Sequence, residues 1–232
     1  MISISIIIPV FNEEKTIQHV LEKINKIKNI VDLEIIIIND GSTDKSKEII
    51  EKNSKYFHIA KHLSKNFGKG KAIIEGLRLS TKNYIFFQDA DLEYDPKDLK
   101  EFIEIIIKYK ADMVMGSRFT SNKRSVLHFW HMLGNQFITF IFNLLNNTTF
   151  SDIFCCYCLF EKQKLPIHKL KSFSWGQHAE ILTYLSKNSN KIYETAVNYD
   201  GRKYSEGKKI RYFHIFEILY CIIVTRIKIL FI

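Results

Sequence analysis

Two aspartates, Asp89 and Asp91, are the residues of this chain best suited to metal chemistry. They follow residues 84–88, an apolar and aromatic run that predicts a strand. Because side chains alternate along an extended backbone, residues two apart point the same way, so both carboxylates can converge just past the strand. Two hard oxygen ligands there suit Mg²⁺ or Mn²⁺ shared with substrate phosphates. The alternative interpretation is a polar turn that caps the strand.

Polar residues also follow two other predicted strands. Residues 2–8 and 33–38 are nearly continuous apolar runs, typical of parallel strands that are covered on both faces. The candidate site residues at their ends are Pro9 and the polar Asn12, Glu13 and Glu14 after the first strand, and Asn39 and Asp40 after the second. Ligands of doubly wound sheets bind beyond the carboxyl ends of the strands. The three polar clusters are therefore predicted to share one rim.

The segments between these clusters predict helices. Asn12 is expected to cap a helix with apolar residues at helical spacing from Ile17, and Ser42 or Thr43 is expected to cap a second helix that runs to about residue 53. Further predicted elements are a weak strand over 57–63, a helix over 72–79, a helix over 97–108 that begins at Pro96, and a strand over 111–117. This alternation predicts an α/β fold with a mostly parallel, doubly wound sheet.

A glycine-rich basic loop precedes the helix predicted over 72–79. Gly68 and Gly70 fit neither the dinucleotide-binding fingerprint nor the Walker loop. One interpretation is that they let backbone N–H groups approach an anion, with Lys69 or Lys71 nearby. The other is a flexible basic loop.

Composition limits the class of partner and the compartment. The chain has 232 residues, 46% of them hydrophobic, with a net charge of +9, which indicates an anionic partner such as nucleotide phosphates, nucleic acid or anionic lipid. No nucleic-acid-binding motif is recognisable, and such a partner would leave the carboxylates unexplained, so we expect no nucleic-acid partner. Cys155 and Cys158 have zinc-like spacing without a second pair, so buried thiols are the favoured interpretation. We expect a cytosolic protein without a signal peptide.

The motifs occur in an order that resembles one enzyme family. The matching segments are 6–14 (IIIPVFNEE), 39–44 (NDGSTD), 66–70 (NFGKG), 89–96 (DADLEYDP) and 116–118 (GSR). They resemble family 2 glycosyltransferases of the GT-A fold. Residues 199–210 (YDGRKYSEGKKI) are similar to the dolichyl- or polyprenyl-phosphate sugar transferase branch. The resemblance covers about residues 2–212.

The resemblance implies roles for individual residues. The residues it places at the nucleotide base and ribose are Pro9, Asn12, Glu13, Glu14 and Asp40. Asp89 and Asp91 would hold Mg²⁺ or Mn²⁺ on the donor diphosphate, and Glu93 would assist the metal. Arg118 and Arg202 would handle an acceptor phosphate.

Two positions depart from the family pattern. Asn39 replaces an Asp that many relatives carry, which removes a charge but keeps hydrogen bonding to the base possible. Asp152 lies in a segment that matches only loosely, and we expect it to act as a base or as a residue that positions the acceptor.

The expected activity is transfer of a sugar, mannose or glucose, with inversion from a GDP- or UDP-linked donor to a polyprenyl or dolichyl phosphate. A phosphate acceptor is already ionised at pH 7, so it needs cations rather than a base. Arginine suits phosphate best because its planar fork binds two oxygens. The alternative is a family 2 enzyme that glycosylates a glycan or another hydroxyl acceptor in cell-surface polysaccharide synthesis. A nucleotidyltransferase would open with a Gly-rich, Arg-containing loop, which this chain lacks.

Two apolar stretches predict contact with a membrane. Residues 126–150 lack acidic residues, and residues 211–232 are apolar but interrupted by Glu217, Arg226 and Lys228, so we expect an interfacial helix rather than a spanning one. The alternatives are a core helix for the first stretch and a docking helix for the last. We expect a glycosyltransferase domain over 1–211 and an amphipathic membrane-surface helix over 212–232. The protein would be peripheral on the cytoplasmic face of the membrane, with a membrane-protein partner or a second copy as further partners.

The segment from Trp175 to Glu180 predicts the start of a helix. Glu180 is interpreted either as a contact to the sugar or acceptor or as a plain helix-start residue. His178 has no metal partner at ligand spacing and is interpreted as structural.

Overall fold

The computed structural model describes residues 2–120, 129–171, 174–201 and 214–231, which form one mixed sheet flanked by helices. Its strands are β1 Ser3–Val10, β2 Asp32–Asn39, β3 Ile59–His62, β4 Tyr84–Phe87, β5 Met113–Ser117, β6 Cys158–Glu161 and β7 Ile192–Ala196. Its α-helices are α1 Ile17–Asn25, α2 Ser46–Lys52, α3 Lys69–Leu79, α4 Leu99–Tyr109, α5 Phe129–Asn146, α6 Gln177–Asn188 and α7 His214–Leu230.

The strand order is β3-β2-β1-β4-β6-β5-β7. Strands β3, β2, β1 and β4 are parallel, β6 is antiparallel to both of its neighbours, and β5 is parallel to β7. Every strand except β6 therefore ends at the same edge of the sheet, which we call the carboxyl rim. Strand β6 begins there. The prediction of a mostly parallel α/β sheet is confirmed.

The core is built on the isoleucine-rich strands at the centre of the sheet. Residues 4–8 of β1 and 33–39 of β2 are buried without interruption, as expected for strands covered on both faces. Helix α3 packs so closely on this layer that a Cβ atom at Gly76 would lie 2.4 Å from Cγ2 of Ile7. Fully burying an isoleucine side chain stabilises a fold by about 1.5–3 kcal/mol. These strands therefore provide a rigid base for the loops at the rim.

Three local predictions were wrong. Strand β4 ends at Phe87, and Ala90 and Asp91 lie in a turn, so Asp89 and Asp91 do not converge through strand alternation. Asn12 does not cap α1, which begins at Ile17, and its side chain instead bonds to the loop after β2. Neither Ser42 nor Thr43 caps α2, which begins at Ser46. For Asn12, Ser42 and Thr43, a contact between two loops replaces the local cap that the sequence suggested.

Strands β6 and β7 were not predicted. Strand β6 has four residues, and most side chains of β7 are only half-buried, so neither shows a long apolar run. They matter for function because β6 brings residues 151–157 to the carboxyl rim, and β7 leads into residues 198–201 there.

Helices α5 and α7 form an outer layer that exposes many apolar side chains. Helix α7 packs against α5 and α6 through its buried residues Ile218, Ile222 and Thr225. Within the described part of the chain, no helix is both long and apolar enough to cross a membrane. The division into residues 1–211 and 212–232 stays a prediction.

Candidate functional site

The loops that follow β1 and β2 are joined by hydrogen bonds. The Oδ1 atom of Asn12 accepts from the Thr43 N–H at 2.8 Å, and the Asn12 N–H donates to Oγ of Ser42 at 3.0 Å. Asn12 adopts a left-handed backbone (φ 55°), which asparagine tolerates better than most residues. A carboxylate oxygen of Glu14 accepts from the Lys45 N–H at 3.0 Å. Asn12 and Glu14, both predicted at the nucleotide, therefore also hold the two loops together.

The other two residues predicted from the β1 segment lie in the same region. Pro9 is half-buried inside β1, opposite Ile38 of β2. The Glu13 N–H donates to Oγ of Ser46 at 2.8 Å, which ties the start of this loop to α2.

Asn39 is buried, and its amide group bonds within the protein. Its Oδ1 atom accepts from the Ser42 N–H at 3.1 Å, and its Nδ2 atom lies 3.0 Å from Nδ1 of His62. The neutral amide thus shapes the turn at the end of β2. A role for Asn39 at the nucleotide base stays a prediction.

Asp40 fixes the glycine-rich loop. It is 2% exposed, and its two carboxylate oxygens accept from the N–H groups of Phe67 and Gly68 at 2.9 and 2.8 Å. Burial raises the pKa of Asp40, and the two N–H groups offset this only in part. Next to it, Gly41 has φ 66°, and a Cβ there would lie 2.3 Å from the Lys65 carbonyl carbon. The loop that leads to Lys69 is therefore held close against β2.

Lys69 pairs with the first aspartate of the motif. Its Nζ atom lies 2.6 Å from Oδ1 of Asp89 and 3.6 Å from Sγ of Cys156. Burial would lower the pKa of Lys69, but Asp89 and other negative groups, Asp91 among them, raise it. Burial likewise opposes the charged Asp89, yet the Lys69 ammonium holds the pKa of that carboxyl below its usual value. Both groups are therefore charged at neutral pH.

The three carboxylates predicted as metal ligands do not form one cluster. The Oδ1 atom of Asp91 accepts from the Glu93 N–H at 3.1 Å, around Leu92 in a left-handed backbone (φ 65°) that is rare for leucine. A carboxylate oxygen of Glu93 accepts instead from the hydroxyl of Tyr199 at 3.0 Å. Among the described residues, no three His, Cys, Asp or Glu side chains are placed to hold a metal ion.

Asp89 and Asp91 nevertheless fit Mg²⁺ or Mn²⁺. Such ions commonly take only one or two carboxylates from a protein and complete their coordination with substrate phosphates and water. Both aspartates are partly accessible and follow β4 at the carboxyl rim. This pair would hold the ion, and Glu93 would act on the loop rather than on the metal.

Arg118 and Asp152 form a buried bidentate ion pair at the same rim. Nε of Arg118 lies 2.7 Å from Oδ2 of Asp152, and an Nη atom lies 2.8 Å from Oδ1. The N–H groups of Arg118 and Phe154 also donate to this carboxylate, at 3.2 and 3.1 Å. Asp152 is fully buried, whereas the Arg118 side chain is 11% exposed. With four donors on its oxygens, Asp152 is better suited to orient Arg118 than to act as a base.

Arg202, the other residue predicted at the acceptor phosphate, lies outside the described residues.

His178 lies nearer the site than its interpretation as structural suggested. Its Nε2 atom is shielded from solvent and has no hydrogen-bond partner within the described ranges. Burial, followed by the positive charge of Lys69, lowers the pKa of His178 to about 4, while Asp89 and Asp152 act in the opposite direction. The ring is therefore neutral at pH 7. Whether this nitrogen has a partner depends on the tertiary structure, so the sequence could not have identified His178 as a candidate site residue.

Glu180 is buried, and both of its carboxylate oxygens accept from the Lys171 N–H at 3.1 Å, so it stabilises the segment before α6.

A cavity of about 1030 Å³ lies at the edge of the sheet opposite the carboxyl rim, near Tyr84 and Glu161. Tyr84 donates there to Glu161, and Lys162 donates to the Ser80 carbonyl. The cavity is therefore remote from the carboxylates of the rim.

Comparisons with known proteins identify the family and the fold. A family model described as glycosyl transferase family 2 matches residues 5–165. Glycosyltransferase GlyA of Streptococcus pneumoniae is 29% identical over 177 residues, which are 75% of this chain but only 24% of GlyA. The uncharacterized protein MJ0544 of Methanocaldococcus jannaschii is 31% identical over 204 residues, which cover 83% of this chain and 86% of that protein.

Solved structures of two proteins are similar to almost the whole chain. S. aureus TarS 1–349 in complex with UDP-GlcNAc has a TM-score of 0.65 at 18% identity, covering 97% of this chain and 66% of that one. Glucosyl-3-phosphoglycerate synthase from Mycobacterium tuberculosis, in complex with Mn²⁺, UDP and phosphoglyceric acid, has a TM-score of 0.69 at 16% identity, covering 97% and 78%. At these identities the likeness establishes the fold, and the predicted GT-A architecture is confirmed.

The Arg118–Asp152 pair predicts a large loss of stability when one partner is neutralised. Asp152→Asn should lower the free energy of unfolding by about 3 kcal/mol, because it leaves the Arg118 charge buried and unpaired. The matched control is Asp32→Asn, which breaks the more exposed pair with Lys82 at the other edge and should cost under about 1 kcal/mol. Urea unfolding of both variants measures the difference. Equal losses would contradict a special role for the buried pair.

Proposed function

The chain belongs to glycosyl transferase family 2, and from this premise we propose that it transfers a sugar with inversion from a nucleotide-sugar to a polyprenyl or dolichyl phosphate. The observation that carries the proposal is the buried pairing of Arg118 with Asp152. It fixes a cation at the rim that also bears Asp89 and Asp91, and it engages the carboxylate that was the main candidate for a base.

The donor side is built around Asp89 and Asp91. Mg²⁺ or Mn²⁺ bound there would neutralise the negative charge that develops on the leaving diphosphate. Lys69, held against Asp89, adds a second positive charge that can contact a phosphate oxygen. The ligands named for TarS and for glucosyl-3-phosphoglycerate synthase favour a uridine nucleotide over a guanosine one.

The acceptor side needs a cation more than a base. A phosphate oxygen is ionised at pH 7 and can attack the anomeric carbon without losing a proton. Arg118 presents a planar guanidinium in a fixed orientation, and one edge of it is already occupied by Asp152. Its remaining N–H groups suit a phosphate oxygen. The basic motif at 199–210 supports the same acceptor from the sequence.

A hydroxyl acceptor, such as a glycan, is the second candidate, and His178 is the observation that favours it. An attacking hydroxyl must lose its proton, so it needs a general base within hydrogen-bond reach. The unpaired Nε2 atom of His178 lies in the electrostatic neighbourhood of Asp89, and the ring is neutral at pH 7. Transfer to a hydroxyl would therefore require His178 as a base, whereas transfer to a phosphate would not.

The exposed apolar residues of α5 and α7 support a location at a membrane surface. Its exposed residues are Phe129, Trp130, Leu133, Phe137, Phe140 and Leu144 of α5 and Phe216, Tyr220, Ile223, Ile227 and Leu230 of α7. We call this set the α5–α7 face. Helix α5 contains no Lys, Arg, Asp or Glu, and the chain carries a net charge of +9, which suits anionic headgroups. The proposed location is the cytoplasmic face of the membrane, where a lipid-linked phosphate would be accessible. A membrane-protein partner and a second copy of the chain are the competing occupants.

Asp91→Asn should remove metal-dependent transfer while the fold survives. We expect the rate with Mg²⁺ or Mn²⁺ to fall by about 100-fold, because the diphosphate loses charge stabilisation. Protection of the protein by UDP plus Mn²⁺ against thermal unfolding should fall as well, which provides a measurement independent of activity. Asp32→Asn is the control at the opposite edge. Full activity of Asp91→Asn in metal-depleted buffer would exclude the metal assignment.

A panel of radiolabelled nucleotide-sugars with two acceptor classes decides between the candidate functions. We expect label on polyprenyl phosphate and not on hydroxylated glycans. His178→Gln, whose amide cannot take up a proton, should leave that transfer within about threefold of wild type, whereas Arg118→Lys should lower it by about tenfold because the planar fork is lost. Label on hydroxylated acceptors alone, lost in His178→Gln, would establish the second candidate instead.

Phe216→Asp should weaken binding to anionic phospholipid vesicles by about tenfold, because it removes one exposed aromatic side chain that would be buried in lipid and adds a negative charge. Ile107→Asp, at an exposed apolar position on α4, is the matched control and should bind as wild type does. Point substitutions are preferable to deletion of α7, because Ile218 and Ile222 belong to the core. Co-sedimentation measures vesicle binding. Unchanged binding of Phe216→Asp, or a dimer that it dissociates in size-exclusion chromatography, would refute the membrane role of this face.

A further inference from the structure

Tyr199 contacts both halves of the candidate site. It lies after β7, where it forms an isolated bridge with Tyr94. Its hydroxyl donates to a carboxylate oxygen of Glu93 at 3.0 Å, in the loop that carries Asp91. The guanidinium carbon of Arg118 lies over its ring, 5.1 Å from the centroid. One half-buried side chain thus contacts both Glu93, in the loop that we propose binds the donor, and Arg118, the arginine that we propose binds the acceptor.

The backbone around Tyr199 is hydrogen-bonded to the segment that follows Asp91. The Asp200 N–H donates to the Glu93 carbonyl at 2.8 Å. The backbone N–H and the side-chain amide of Asn198 donate to the two carboxylate oxygens of Asp98 at 2.7 and 2.6 Å. Residues 198–200 and residues 93–98 therefore form one unit, although about a hundred residues separate them in sequence.

Neighbouring groups hold the ring of Tyr199 in place. Its centroid lies 5.1 Å from that of Tyr94, which in turn stacks on Tyr157 at 4.7 Å. Tyr94 is anchored by its hydroxyl, which accepts from the Cys156 N–H at 3.3 Å. A Cβ atom at Gly201 would lie 2.9 Å from Cε1 and from the hydroxyl of Tyr199, so the ring fills the space beside this glycine.

We infer that Tyr199 is a positioning residue that sets the Asp91–Glu93 loop and Arg118 at a fixed distance from each other. The inference rests on the proposed function in two respects, that the loop bearing Asp91 holds the donor diphosphate and that Arg118 serves the acceptor. Transfer between two bound substrates depends on the alignment of the reacting atoms, and a misplacement of about 1 Å can lower the rate by about 100-fold. Tyr199 is the described side chain that contacts Glu93 and Arg118 together.

The contact with Glu93 uses the hydroxyl, and the contact with Arg118 uses the ring face together with the hydroxyl, so two substitutions distinguish the hydroxyl from the ring. Tyr199→Phe removes the hydroxyl and keeps the ring. We expect it to weaken the thermal protection given by UDP plus Mn²⁺ and to raise the KM for the nucleotide-sugar by about fivefold, with a smaller rise in the acceptor KM because the hydroxyl also interacts with Arg118. Tyr199→Leu removes both contacts. It should show the same donor defect, a higher acceptor KM, and a kcat lowered by about 100-fold.

Tyr193 is the matched control for the loss of aromatic packing. It lies in β7 and stacks on Tyr109 at 4.7 Å. Tyr193→Phe and Tyr193→Leu should lower thermal stability about as much as the Tyr199 variants do, while both KM values stay at the wild-type level. A double-mutant cycle of Tyr199→Phe with Glu93→Gln should be non-additive, because both substitutions remove the same hydrogen bond.

The inference is overturned if Tyr199→Phe leaves UDP–Mn²⁺ protection unchanged. It is also overturned if the Tyr199 and Tyr193 variants lose stability and activity in parallel with unaltered KM values, since the role would then be structural only. The UDP–Mn²⁺ measurement requires no acceptor. It therefore decides the role of the hydroxyl even if transfer to polyprenyl phosphate is not detected, which would contradict the proposed acceptor alone.

Discussion

The buried pairing of Arg118 with Asp152 is the interaction on which the proposed acceptor half of the candidate site depends. A charge taken out of water costs several kcal/mol unless a partner and further hydrogen bonds satisfy it. Here the carboxylate accepts from the guanidinium and from two backbone N–H groups. The segment before β6 must therefore lie against the end of β5. Gly116 shows how tight this junction is, because a Cβ there would lie 2.8 Å from Sγ of Cys155.

The proposed donor half is held together by contacts between successive loops along the carboxyl rim. Asn12 joins the loops after β1 and β2, Asp40 joins the second of these to the glycine-rich loop, and Lys69 joins that loop to Asp89. Each step places a polar side chain of one loop on a backbone or charged group of the next. Polar residues that look like separate ligand-binding groups in the sequence therefore also form the framework that positions the others.

The outer helices connect this site to the proposed membrane surface. Glu217 of α7 accepts from Ser174 and from the Gly176 N–H, and the Cys221 thiol donates to the Gly176 carbonyl at 3.2 Å. Gly176 directly precedes α6, the helix that carries His178. The helix whose exposed aromatic residues we propose to contact lipid thus also supports the segment at the edge of the candidate site.

Sequence alone determined the central strands, the polar clusters after β1, β2 and β4, and the glycosyltransferase motifs. These features are local, because an apolar run or a short motif is complete within ten or so residues.

Tertiary structure decided which partner each polar group has. Asp152 reaches Arg118 only because the short antiparallel β6 lies between β4 and β5, and Tyr199 reaches Glu93 only because β7 extends the sheet on that side. The sequence predicted Asp89, Asp91 and Glu93 as metal ligands, but in the structure Asp89 pairs with Lys69 and the Glu93 carboxylate accepts from Tyr199. Hydrogen bonds and ion pairs depend on distances between atoms far apart in the chain, and no local periodicity encodes those distances.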